Sequence, residues 1–272
     1  MKKVAIVVDS TMDLSDELRN SVFVVPLKVE LAGEIFKDGE RNIEGILQTM
    51  KEKNIFAKTS QPSPIDFEIV YKQALENHDF VVSIHISEKL SGTIGSARIA
   101  AQKFENRIFI FDTNAATIVA DEYVRKVLEM KGAFPEEIIG ELRKLRNNMK
   151  LYLTVGNLEF LKRSGRLKGI EAMIGSILKL RPVIEVHEGA LRTRKITRGD
   201  RGPLRFMKEA IERAKGKIIV GHIMAPEKSR QLLDFAASLG KPVREVSVRS
   251  AALSVHLGPG SYGVAIFEDN SD

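Results

Sequence analysis

Three short runs of branched and apolar residues constrain this chain most: Val4 to Val8, Phe80 to Ile86 and Ile108 to Phe111. Each ends in a polar turn. Runs this apolar are buried on both faces, as in parallel strands covered by helices. Helical patterns separate them. Asn42 caps a stripe formed by Ile43, Ile46, Leu47 and Met50, and Ser63 with Pro64 opens a helix that runs to about Glu76. Further helices are predicted over 16–20 with Ser15 as cap, over 92–104, and over 115–131 and 135–149. Val22 to Leu31 is strand-like but interrupted by Pro26, Gly33 to Gly39 reads as a turn or edge, and Lys58 to Ser63 as a loop. Strands alternating with helices predict an α/β unit around a parallel sheet.

The second half reads as mixed α+β. Pro182 to His187 and Ala190 to Ile196 flank Glu188-Gly189 as a β-hairpin. Strands over 151–155, 217–223, 242–248 and 262–267 are interleaved with helices up to Lys162, over 170–178, near 203–214 and over 226–239. Two domains are expected, 1–150 and 151–272.

Composition narrows the chemistry. There is no cysteine, which excludes disulfides, thiolate metal sites and cysteine nucleophiles. The apolar run near the N-terminus is too short for a signal peptide and stops at Asp9, and no stretch reaches membrane length. A cytoplasmic protein is the expectation. A net charge of +6 permits an acidic partner without identifying nucleic acid. The five histidines show no metal spacing, so no metal or cofactor is expected.

The polar residues that follow the first-half strands are Asp9-Ser10-Thr11, Ser87 through Thr93, and Asp112-Thr113. Ligands of open parallel sheets bind at such strand ends, and the loop carrying Thr59 can reach the same edge. Hydroxyls and helix N-termini there suit an anion, yet Ser91-Gly92-Thr93 has no phosphate-loop lysine. Such neutral anchors fit a single charge, as on a carboxylate. The plain alternative is that Ser91 and Thr93 only cap a helix. Ser63 accounts for the cap of the following helix but leaves Thr59 and Gln61 unexplained.

His85 alternates with apolar residues and reads as a core histidine. His256 precedes Gly258-Pro259-Gly260, where backbone can approach a ligand. Ser91 with His256 allows a serine-hydrolase or other small-molecule enzyme reading, although the Gly-x-Ser-x-Gly turn is absent. Leu161 to Lys168 is a basic loop, and Arg192 to Arg201 is rich in basic residues. The latter is either a solvated face or, centred on Arg194 and Arg198, a docking surface for an acidic partner. Interleaved aromatics are missing, so nucleic acid is not expected.

In their order, these motifs resemble the DegV family of bacterial fatty-acid-binding proteins: Asp9-Ser10-Thr11-x-Asp13-Leu14, Thr59-Ser60-Gln61-Pro62-Ser63, Leu90-Ser91-Gly92-Thr93, Asp112, Gly165-Arg166 and His256-x-Gly258-Pro259-Gly260. The resemblance implies a long-chain fatty acid buried between two domains, its carboxylate held by Thr59 and Ser91. It places Gly92, Thr93, Arg166 and His256 near the head group. It also implies a carrier that presents the acid to a separate fatty acid kinase. Ala172 to Leu178 and Ala251 to Leu253 are candidate walls for the tail. The chain has Ser164-Gly165-Arg166 where the family usually shows Gly-Gly-Arg, and Asn114 to Thr117 where it often shows glycines.

Overall fold

The computed structural model describes residues 2–166 and 180–269. The three apolar runs form β1 (Val4–Asp9), β6 (Phe80–His85) and β7 (Ile108–Asp112), with elements numbered in chain order. Together with β2 (Phe23–Val25) they make a fully parallel sheet in the order β2-β1-β6-β7. Successive side chains point to opposite faces of a strand. Ala5 and Val7 thus pack with Phe67 and Tyr71 of α3 (Pro64–Leu75) and Ala97 of α4 (Thr93–Ala101). Ile6 and Val8 enter a different cluster, with Tyr123 and Val127 of α5 (Ala120–Glu129) and Ile138 and Leu142 of α6 (Pro135–Asn147).

That second cluster does not stop at residue 150. It continues through Leu151, Ile184, Ile219 and Ala265 of a six-stranded mixed sheet. Its order is β10-β9-β8-β13-β11-β12, where β8 is Met149–Thr154, β9 Leu180–His187, β10 Ala190–Arg198, β11 Lys217–Ile223, β12 Val243–Glu245 and β13 Ser261–Phe267. All its pairings are antiparallel except β11 with β12, which α9 (Pro226–Ser238) connects. The β9–β10 turn has Glu188 at φ 48° and Gly189 at φ 81°, the left-handed pair a two-residue hairpin demands. α8 (Arg201–Arg213) precedes β11. The fold is therefore α/β, with a parallel N-terminal sheet and a mixed C-terminal one.

Several local expectations change. Pro26 does not merely interrupt a strand: Lys28–Leu31 (β3) belongs to another sheet, antiparallel between β4 (Glu34–Lys37) and β5 (Lys58–Ser60). Thr59 thus sits in a strand, opposite Val29, rather than in a loop. Residues 33–39, read as a turn or edge, contain β4. Ser15 makes no cap at α1 (Asp16–Arg19), and its hydroxyl accepts from Arg125 instead. Asn42 does cap α2 (Ile43–Glu52), accepting from Gly45 N at 2.7 Å. α4 has Gly92 as N-cap with no side-chain cap, so neither Ser91 nor Thr93 fills that role. The stretch before Gly258 is helical: α10 (Ala251–Leu257) starts at a Ser250 cap and ends at Gly258, φ 77°. α7 is Leu158–Arg163, and the helix expected over 170–178 lies outside the described residues.

Candidate functional site

Thr59 on β5, Ser91 and Gly92 before α4, Arg166, and His256 on α10 line one polar pocket, together with Thr11, Gln61, Lys89, Leu90 and Ala252. These residues come from five separate stretches of sequence. The Thr59 hydroxyl lies 2.7 Å from His256 Nε2. Ser91 Oγ accepts from Thr93 N at 3.3 Å and lies 2.8 Å from Thr93 Oγ1. Ser91 therefore forms a local turn of its own with a hydroxyl partly exposed to the pocket. Thr93 is fully buried and does not line the pocket.

Gln61 joins the two halves of this arrangement. Its amide nitrogen donates to Ser96 Oγ at 3.0 Å, tying the β5 end to α4. The side chain lies directly over Gly92, where any Cβ would overlap Gln61 Oε1. Gly92 is needed for close approach, not for a left-handed turn.

His256 is held neutral. Burial, and secondarily the Arg166 guanidinium, push its pKa down from 6.5 to about 4. Its Nδ1 is buried and has no hydrogen-bond partner among the described residues. Arg166 is itself half-buried, and burial lowers its pKa, yet an arginine stays protonated.

α10, which presents His256, is anchored at its other end by two buried carboxylates. Asp38 accepts from Ser10 Oγ, Ser250 Oγ and Ala251 N at 2.8, 2.7 and 2.7 Å. Asp13 accepts from Arg249 N, Ser250 N and Thr117 Oγ1 at 2.7, 3.1 and 2.8 Å. Burial raises both pKa values, that of Asp13 from 3.8 to about 7. Asp38 escaped sequence reasoning because its partner, Ser250, is 212 residues away.

Next to the polar pocket lies a cavity of about 830 Å³ of atom-free space, its mouth included. Ile86, Ile118, Leu151, Leu161, Val186 and Leu253 are among its walls, drawn from the mixed sheet, from the segments that follow β6 and β7, and from α7 and α10. Leu90, Arg166 and His256 line both spaces. Of the predicted tail contacts, Leu253 faces the cavity and Ala252 the polar pocket, whereas Ala251 is packed in a core cluster with α2. Ala172 to Leu178 lie outside the described residues.

The remaining strand-end residues are engaged elsewhere. Asp9 is fully buried and holds His85 Nδ1 at 3.1 Å and Ile86 N at 3.0 Å, while His85 Nε2 meets Ser83 Oγ at 2.6 Å. His85 is thus a satisfied core histidine. Thr113 bonds the carbonyls of His85 and Ala115, and Asp112 accepts from Asn114 N, so neither lines the pocket.

The hydrolase arrangement is not assembled. Ser91 bonds Thr93 rather than His256, and no acid among the described residues orients His256 Nδ1. On the hairpin, Arg194 and Arg198 are exposed, and the nearest acid to Arg194 is Glu185 at 3.9 Å. Among the described residues, no group of three or more His, Asp or Glu could hold a metal, and no helix is long and apolar enough to cross a membrane.

A family model described as "Uncharacterised protein, DegV family" matches residues 3–269. A DegV domain-containing protein of Deinococcus radiodurans is 32% identical, covering 97% of this chain and 98% of its own. The fatty-acid-binding DegV family protein of Thermus thermophilus superimposes with a TM-score of 0.91 at 35% identity, over 98% of this chain and 100% of its own. DegV of Bacillus subtilis, a fatty acid binding protein, gives 0.86 at 25% identity, over 98% and 100%. With the family model spanning nearly all its residues and both sheets shared with these structures, this chain belongs to the DegV family.

Proposed function

We propose that the chain binds one long-chain fatty acid, its carboxylate at Thr59 and Ser91 and its tail in the apolar cavity, and acts as a carrier rather than a catalyst. The observation that carries this reading is the common wall of the two spaces. Leu90, Arg166 and His256 border both, so a ligand with one polar end and a long apolar body fits across them. The fatty-acid-binding DegV proteins of Thermus thermophilus and Bacillus subtilis support it.

The energetics agree. A sixteen-carbon tail contributes roughly 0.8 kcal/mol per buried methylene, on the order of 10 kcal/mol gross. Hydrogen bonds to the charged head contribute about 1.5–3 kcal/mol each. The tail supplies most of the affinity and the head sets orientation. Thr59 donates to the carboxylate if neutral His256 carries its proton on Nε2 and donates to Thr59. In the same way, a hydrogen bond from Thr93 to Ser91 leaves the Ser91 O–H free. Arg166 adds a cation at the junction, and Gly92 lines the same pocket.

The carrier's partner is a separate fatty acid kinase, which meets the exposed basic hairpin at Arg194 and Arg198. Titrating delipidated protein with a fluorescent long-chain fatty acid tests the binding step. Saturation at one ligand per chain, displaced by unlabelled acid, is expected. Absence of saturable binding contradicts the reading.

A further inference from the structure

A second polar cavity opens where β8 and β11 end and β13 begins, on the far side of Tyr262 from the apolar one. Its walls include Thr154, Gly156, Arg181, Lys228, Gly260 and Tyr262. Thr154 is 3% exposed and Tyr262 6%, yet both hydroxyls are buried and have no hydrogen-bond partner among the described residues. The two residues are directly opposed across β8 and β13. Leaving a buried hydroxyl unpaired costs about 1–3 kcal/mol, and a pair of them facing one cavity calls for an occupant.

The groups around the cavity are donors. Arginine and lysine only donate, and the Tyr262 hydroxyl, pushed up to about 12 by burial and by Asp200, is a neutral O–H. Arg181 is held in place by Asp200, at 2.9 Å from Nε, and by the Gly156 carbonyl. Lys228 is half-buried in the first turn of α9, whereas the acids, Asp200 and Glu227, are exposed at the rim. The site also lies at the carboxyl end of β11, where a parallel β-α-β unit brings a helix N-terminus to its ligand.

We infer that this cavity is a binding site for a small oxyanion, a phosphate or carboxylate group, separate from the pocket of Thr59 and Ser91. Its hydrogen bonds come from Thr154, Tyr262, Arg181 and Lys228. Tyr262 also lines the apolar cavity, and the Pro259-Gly260 wall follows directly on α10, so an occupant here touches elements that shape both neighbouring spaces.

The test is a two-dimensional amide NMR titration of the full chain with inorganic phosphate and, separately, with acetate. Saturable shifts at Gly156 and Gly260 are expected, unaffected by Ser91→Ala, with half-saturation raised at least tenfold in Arg181→Gln and in the Thr154→Val/Tyr262→Phe double variant. Tighter saturation by phosphate assigns a phosphate group, and tighter saturation by acetate a carboxylate. Shifts confined to Ser91 and Gly92, or no saturation with either probe, overturn the proposal. The double variant also reads the unpaired hydroxyls without ligand. Its Tm equals or exceeds that of the parent if they are unpaired, and a clear fall in Tm overturns the inference.

Discussion

His256 borders both the polar pocket and the apolar cavity, and its tautomer decides what Thr59 can offer a ligand. With its pKa near 4, it is neutral throughout the physiological range. Fatty-acid affinity is therefore expected to stay flat between pH 8 and 6; a tenfold change across that interval, read by fluorescence titration, would show a charged His256. Thr59→Ala and Ser91→Ala each remove one bond to a charged group, about 1.5–3 kcal/mol, and should weaken binding by roughly ten- to a hundredfold without unfolding the protein. Unchanged affinity in both would remove these residues from the site. Gly92→Ala is expected to displace Gln61 and break its bond to Ser96, at a cost of about 1 kcal/mol in denaturant unfolding and with a measurable loss of affinity.

At the scale of elements, α10 couples two opposite titrations. Asp13, raised from 3.8 to about 7, binds a proton in the folded state that the unfolded chain has lost, so its contribution to stability falls as pH rises from about 4 to about 7. His256, lowered from 6.5 to about 4, has the reverse sign: the unfolded chain binds the extra proton, and stability is gained as pH rises through the same window. The two oppose each other in the parent. Asp13→Asn removes the first alone, so its stability relative to the parent should climb between pH 4 and 7, by a few kcal/mol at most. A pH-independent difference between the two proteins would show that Asp13 is ionised when folded. The same helix marks the limit of sequence reading. β1, β6 and β7 were legible because fully buried strands leave unbroken apolar runs. α10 has seven residues, too few for a helical period to emerge, and its Ser250 cap looks ordinary until Asp38 is seen beside it. β5 is three residues long and owes its state to pairing with β3, which propensity does not carry. The order of motifs singled out Thr59, Ser91, Arg166 and His256, which line one pocket. Asp38 and the hydroxyl pair of Thr154 and Tyr262 were not, because only the folded chain brings each to its neighbours.

Across the whole molecule, the apolar cavity lies at the joint between the mixed sheet and the segments that follow β6 and β7. Ile118 from the first half packs so closely on Gly221 of β11 that a Cβ there would sit 2.5 Å from its Cγ2. Arg244 of β12 reaches Asp121 and Glu122 of α5, and Lys217 reaches Glu122, so ion pairs buried on the acidic side hold the same joint from outside. On the proposed reading, a ligand in the cavity is enclosed by the mixed sheet and by the segments after β6 and β7, and a kinase reaches its carboxylate at the polar mouth. Charge reversal at Arg194 and Arg198 should leave fatty-acid affinity intact and reduce acyl-phosphate formation by a cognate kinase; full activity would dismiss the hairpin as the docking face. The central claim is that the joined pocket and cavity hold a fatty acid, and mass spectrometry of an organic extract of the natively purified protein tests it most directly. The account predicts about one straight-chain fatty acid per chain. An extract free of fatty acid, from protein that also takes none up when it is supplied, would contradict it.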